Sequence, residues 1–242
     1  MPSVDEVYST STNGATFAAS PNLKKEESDN WEVGFAINAE DLREDGDSFQ
    51  LKTTYFDNSI TNLIDRNPAT PAVFGPFGPG VYTDPGFINV DNADIFGVEV
   101  EAVYDADLWY ANAAYTWTEG KNSDTNQHLD SIAPAEFAFT LAGRSENRNL
   151  EYGWKARFVA DPAADCRTEC FNASTTSLRF ADSFDVHDLF VTWNSEEDTE
   201  YEGWVLRLGV ENIFDTQYKE FLGNDSAKGR TFKFTLAKDL DW

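Results

Sequence analysis

The chain has 242 residues and a net charge of −25, from 43 Asp and Glu against 18 Lys and Arg, and 14% of it is aromatic. That balance excludes nucleic acid as a partner, because phosphate recognition needs clustered cations. No run of eighteen apolar residues exists, which excludes a transmembrane helix but not a membrane barrel, whose strands turn alternate residues to water.

The first ten residues, MPSVDEVYST, lack the basic start and apolar stretch of a signal peptide. An exported protein carries one, so either the chain is cytosolic or its true N-terminus lies upstream, and the strands below favour the second. Trp31, Val33, Phe35 and Ile37 share one parity against Glu32, Gly34, Ala36 and Asn38, which predicts a strand over 28–38. After a charged turn at 39–47, a second strand is predicted over 48–60. A Pro/Gly-rich connection, 61–86, then exposes Phe74, Phe77 and Tyr82. These rings suit a flat apolar ligand or a protein partner, and Tyr82 can supply a phenolate, although packing among loops is the plainer reading. Strands follow over 94–104 and 108–119, joined by a tight turn at 105–107. The connection 120–134 carries His128, a loop imidazole whose plain reading is a solvated side chain.

Three further strands are predicted over 136–144, 151–160 and 184–193, the first two joined by a turn at 145–150. The connection 161–183 holds Cys166 and Cys170, which in an oxidising compartment pair as a small loop disulfide. As metal ligands they would need companions, and none lies nearby. His187 and Asp188, near the start of the next strand, read as lumen or rim residues. After a turn at 194–202 come a strand over 204–213, a connection over 214–228, and the last strand, 229–242. There Phe232, Phe234, Leu236, Leu240 and Trp242 oppose Lys233, Thr235, Ala237, Asp239 and Asp241. Lys238 interrupts the oily parity, so either its stem snorkels to the interface or a bulge redirects it.

A soluble strand runs five or six residues, whereas a strand crossing a bilayer needs about nine to eleven and ends in interfacial aromatics. The last strand fits the second description. Short and long connections also alternate along the whole chain, as short periplasmic turns and long extracellular loops do. The fold class is therefore all-β, an antiparallel outer-membrane β-barrel portion. Roughly nine strands is an odd number for a single-chain barrel, so the chain reads as the C-terminal part of a larger one, with 1–27 an extracellular loop segment and 28–242 strands and loops. Glu99, Glu101 and Asp188 read as lumen-facing acids rather than an acid/base pair. With no phosphate loop, G-x-S-x-G, H-E-x-x-H or CxxC pair, the sequence supports no enzyme. The rival of another class is a soluble secreted β-rich binding protein or carbohydrate-active enzyme.

Specific strings go further. Ser20 to Phe35 (SPNLKKEESDNWEVGF), Asn89 to Glu99 (NVDNADIFGVE), Gly209 to Tyr218 (GVENIFDTQY) and the terminal GRTFKFTL resemble the C-terminal barrel region of TonB-dependent outer-membrane receptors. Within that family, Tyr115 to Pro134 (YTWTEGKNSDTNQHLDSIAP) looks most like receptors for haem and haem proteins. Pro2, Ser3, Asp5 and Glu6 look like the tail of a FRAP-type box, and Pro21, Asn22 and Leu23 like an NPNL-type box. The resemblance implies the last nine strands of a 22-stranded barrel in the outer membrane, with plug and energy-coupling box upstream. It implies no permanent cofactor, haem as transported ligand, lipid and the inner-membrane TonB complex as partners, and His128 as a candidate haem contact. A ferric siderophore or another nutrient is the alternative cargo. The segment between the boxes, 7–20, has no His where a haem receptor is expected to carry one.

Overall fold

The structure is a computed structural model that describes residues 2–8, 11–12, 15–67, 74–75, 78–79, 81–129, 132–162, 182–196, 199–221 and 225–239. Cys166, Cys170, Phe77, Leu240 and Trp242 lie outside the described residues. In chain order the elements are helix α1 (Val4–Tyr8) and strands β1 (Ser11–Thr12), β2 (Ala15–Ala18), β3 (Glu27–Glu40), β4 (Ser48–Arg66), β5 (Phe74–Gly75), β6 (Gly78–Pro79), β7 (Val81–Pro85), β8 (Phe87–Asp105), β9 (Trp109–Asn122), β10 (Glu136–Arg144), β11 (Leu150–Val159), β12 (Phe184–Asn194), β13 (Trp204–Glu211) and β14 (Thr231–Lys238).

Nine strands form one antiparallel sheet in the order β14-β13-β12-β11-β10-β9-β8-β4-β3. Directly opposed residues of an antiparallel pair share a face, so register alone sorts the side chains. Phe35 opposes Thr53, which opposes Val100, then Tyr115, then Phe137, then Phe158. Lower down, Trp154 opposes Leu189, Leu189 opposes Val210, and Val210 opposes Phe232. One largely apolar band thus crosses every strand. The other parity carries Lys52 opposite Glu101, Asn112 opposite Thr140, and Lys155 opposite Asp188. A recess of about 770 Å³ on this second face touches every strand from β8 to β14, which marks it as the concave side.

Large side chains form no ordinary core. Among the described residues the buried hydrophobics are Ala93, Ala106, Leu129, Ala142, Ala156, Val159 and Phe184, whereas Phe232 is 75% and Phe234 68% exposed. A soluble two-layer fold buries its large apolar residues between layers. This sheet turns them outward, where only a hydrocarbon solvent satisfies them, and the soluble reading fails on that ground. Among the described residues no helix is long and apolar enough to cross a membrane, a statement about helices alone.

The strand limits differ from expectation in two places. The segment 61–86 is not wholly a loop: β4 continues to Arg66 and β8 begins at Phe87 in unbroken register, because ladder-compatible residues such as Leu63, Ile64 and Ile88 persist until the Pro-rich tip. At the other end, register runs unbroken through Lys238, so no bulge forms there. Lys238 opposes Trp204, the first residue after a turn, and its ammonium sits 5.3 Å from that ring's centroid. Trp204 is the interfacial aromatic, and it holds the cation at the edge of the apolar band.

The first short turn shows how acids build these corners. Asp47 is 2% exposed and accepts backbone N–H bonds from Leu42 (2.6 Å), Arg43 (2.9 Å) and Glu44 (3.1 Å), as well as the Tyr104 hydroxyl (2.5 Å). The Tyr104 hydrogen bond, with those backbone bonds, holds its carboxyl below the ordinary range.

In the intact receptor Phe234→Arg is expected to destabilise the barrel by about 2 to 4 kcal/mol if that position lies near the bilayer midplane, while Thr235→Arg, on the concave side, leaves stability nearly unchanged. Urea unfolding from lipid vesicles measures both; equal losses would contradict the assignment of faces.

Candidate functional site

The concave face and the long connections at one end of the sheet form the site. Pairing of β3 with β4 ends at Thr61, and pairing of β8 with β9 ends at Ala93, so 62–66 and 87–92 rise as a hairpin that pairs with no third strand among the described residues. Five or six residues at about 3.3 Å each give a projection of roughly 15 to 20 Å. The connection bearing Phe74 and Tyr82 lies beyond it, where β5 pairs with β6. β7, which contains Tyr82, pairs in parallel with β2 of the N-terminal segment. That segment begins with a capping box: Ser3 N donates to Glu6 Oε2 (2.5 Å) and Glu6 N donates to Ser3 Oγ (3.2 Å), which starts α1 at Val4.

His128 stands elsewhere. Asn122 N donates to Gln127 O (2.8 Å), Leu129 N donates to Gly120 O (2.9 Å), and Asn122 Oδ1 accepts from Asp124 N and Thr125 N at 2.9 Å each. These bonds fold 122–129 into a tight hook in which His128 bridges to Lys121. Lys121 has the parity of Tyr115 and Trp117. His128 therefore belongs to the outer side of the loop crown, apart from the hairpin tip and the lumen. His187 also turns outward. Its Nδ1 accepts the Trp154 indole N–H (3.1 Å), its Nε2 donates to Asp185 (3.0 Å), and Phe158 and Phe214 meet it edge-on. Of the lumen and rim positions expected for it, the lumen one is corrected, because 187 has the outward parity of Leu189 and Asp188 beside it takes the inward one.

The concave recess brings together side chains that sequence reasoning passed over. Arg157 reaches Glu136 on β10 (2.9 Å) and Glu220 in the connection after β13 through two bonds of 2.8 and 2.6 Å. Its guanidinium lies 5.2 Å from the Phe184 centroid, and Phe184 stacks on Tyr218 at 4.2 Å. Burial, with Glu220 nearby, pushes the Tyr218 phenol up, so Tyr218 offers a neutral hydroxyl and not a phenolate. Below the latch, Asn212 is 3% exposed, at φ 52. It donates to Thr216 O (2.9 Å) and Lys228 O (3.3 Å) and accepts from Thr216 N (2.8 Å), closing both ends of the loop. Asp188 accepts Asn212 N (2.8 Å), so this acid is a wall fixture. No local sequence pattern marks the Arg157–Glu220 latch, because its two partners lie far apart in the chain.

These features define a stretch of membrane-spanning antiparallel barrel wall whose long loops fold over its concave side. The chain belongs to the family described as TonB dependent receptor-like, beta-barrel, whose model matches residues 1–213. It is 27% identical to TonB-dependent heme receptor A of Haemophilus influenzae (strain 86-028NP), covering 98% of this chain and 33% of that protein. It is 29% identical to the hemin receptor of Yersinia enterocolitica, over 82% and 27%. The chain thus spans about a third of the length of such relatives. Among solved structures, the Serratia marcescens hemophore receptor HasR, in complex with its hemophore HasA and heme, superposes with a TM-score of 0.68 at 24% identity, over 98% of this chain and 35% of that one. The copper transporter OprC gives 0.67 at 21%, over 90% and 32%, and both likenesses concern the fold.

The Arg157 hydrogen bond holds the Glu220 carboxyl below its ordinary value of 4.5. A depressed carboxylate stabilises the latch fully above that ordinary value and ceases to do so as pH falls through the lowered one. The protection factor of the 214–221 backbone amides in the intact receptor, the exchange rate referred to the intrinsic rate at the same pH, is therefore expected to stay constant from pH 7 to 5 and to fall only below 4.5. Glu220→Gln should show the low protection already at pH 7; wild-type protection there would mean that the ion pair does not hold the loop.

Proposed function

We propose that the protein works in TonB-dependent uptake of haem, or of iron carried by haem proteins, across the outer membrane. The observation that carries this reading is the match of nearly the whole chain to receptors named for heme and hemin. Haem is the cargo, held transiently and passed on, and the inner-membrane TonB complex supplies the work through parts of the receptor outside the third spanned here. The connection 61–86, whose sequence carries Phe74, Phe77 and Tyr82, and the crown bearing His128 make first contact. His128 lies on the outer side of the crown, so its partner is a docked haem protein rather than a haem already in the lumen. Ferric siderophore is the second reading, favoured by the fold shared with FpvA solved with pyoverdines, with a TM-score of 0.61 at 16% identity.

The intact receptor, expressed in a strain lacking its own haem receptors, should support growth on haemin or haemoglobin as sole iron source and fail when TonB is deleted. Growth on ferric siderophore alone would move the assignment to the second reading. His128→Ala should weaken haemoglobin binding several-fold and leave barrel assembly and free haemin uptake unchanged; equal binding by the variant would remove His128 from the contact surface.

A further inference from the structure

The chain ahead of β3 is stitched to the raised hairpin at four levels. Gly86 N donates to Ala18 O (3.2 Å), Phe87 N to the hydroxyl of buried Ser20 (3.1 Å), and Ile64 N to Glu26 Oε1 (2.8 Å). Between them sits Asn89. Its Oδ1 accepts Lys24 N (2.7 Å), and its Nδ2 donates to Lys24 O (3.1 Å) and to Asn62 O (2.8 Å). One carboxamide therefore joins the N-terminal strap, the bend in β4 and β8 itself.

The bend is real, because Asn62 has φ 56 in the middle of a strand, a left-handed conformation that Asn tolerates and β-branched residues resist. Asn89 shares the inward parity of Glu99 and Glu101, so the strap crosses the concave side of the hairpin's base. The three bonds need one acceptor and two donors on a single short side chain, which only an amide provides. Aspartate in this place keeps the first bond but faces two carbonyl oxygens with negative charge.

We propose that Asn89 is a positioning residue that fixes the hairpin arms 61–67 and 86–89 against the strap 18–26, so that two segments from distant parts of the sequence present one preformed surface to the ligand. Ordering loops before binding removes that entropic cost from the binding step. The ligand half of this proposal rests on the haem reading; the geometric half does not.

The test uses the intact receptor with Asn89→Ala, Asn89→Asp, Asn62→Gly and Asn62→Val, read by hydrogen exchange over 18–26 and 61–67 and by haemoglobin binding. Loss of the amide should raise exchange roughly tenfold or more and weaken haemoglobin binding several-fold, with heat-modifiable barrel migration unchanged. Asn62→Gly, which accepts the bend and keeps the carbonyl, should match wild type, and Asn62→Val should behave like Asn89→Ala. Wild-type exchange in Asn89→Ala overturns the proposal, and so does faster exchange with unchanged haemoglobin affinity. A receptor that binds neither haemoglobin nor haemin fails on substrate, a separate result, and the exchange comparison then alone decides whether Asn89 sets the hairpin.

Discussion

Inside a bilayer every backbone N–H and C=O must find its partner within the protein, and the rest of this structure follows from that requirement. The ladder from β3 to β14 meets it strand by strand, and the register that satisfies it also sorts side chains by parity into an oily band and a wet wall. The two outermost strands still carry one unpaired side each among the described residues. Unpaired backbone in hydrocarbon costs several kcal/mol per group, so this wall is stable in a membrane only when further strands close it. That agrees with its spanning about a third of the relatives' length.

Where the chain leaves the membrane, the ladder stops and side chains take over the pairing of backbone groups. Asp and Asn do most of that work. Of seven non-glycine residues with positive φ among those described, Asp41, Asn62, Asp107, Asn126, Asn212 and Asp215 are six. Their short polar side chains tolerate the left-handed region and bond locally. The turns are then tied to one another: Arg144 grips Asp105 through two bonds of 2.8 and 2.9 Å, and Asn147 and Asn149 both reach Glu196. Part of the chain's acidity is thus turn chemistry.

The parity of Phe232, Phe234 and Leu236 against Lys233 and Thr235 was legible because a strand has period two and each face meets one solvent. Alternating connection lengths gave the hairpin order for the same reason, that every strand returns. The extra length of β4 and β8 was not legible, since Pro and Gly at 68–86 mark the end of a hairpin without saying how far its arms rise. Nor was the outward turn of His187, a polar ring on the oily parity that is held there by the Trp154 indole N–H and the rings of Phe158 and Phe214, all tertiary contacts. The latch of Arg157 on Glu220 spans sixty-three positions and leaves no local pattern. His128 was correctly placed in a connection, but its side of the crown depends on the bridge to Lys121, and a bridge is a tertiary fact.

The two ends of the wall obey different physics, and this division locates recognition. At the short-turn end, corners of a few residues leave little freedom, and bonds between neighbouring turns remove most of what remains. At the other end the hairpin of β4 and β8 stands clear of lateral strands, so packing cannot set its direction. Only specific polar bonds can, and they come from Ser20, Glu26 and Asn89 on one side and from Asn212 and Arg157 around the last loop. A polar bond can be exchanged for one to water or to a ligand at small net cost, whereas a ladder in lipid cannot. The loops are therefore the part of this molecule whose arrangement is set by side-chain bonds, while the wall is set by its ladder.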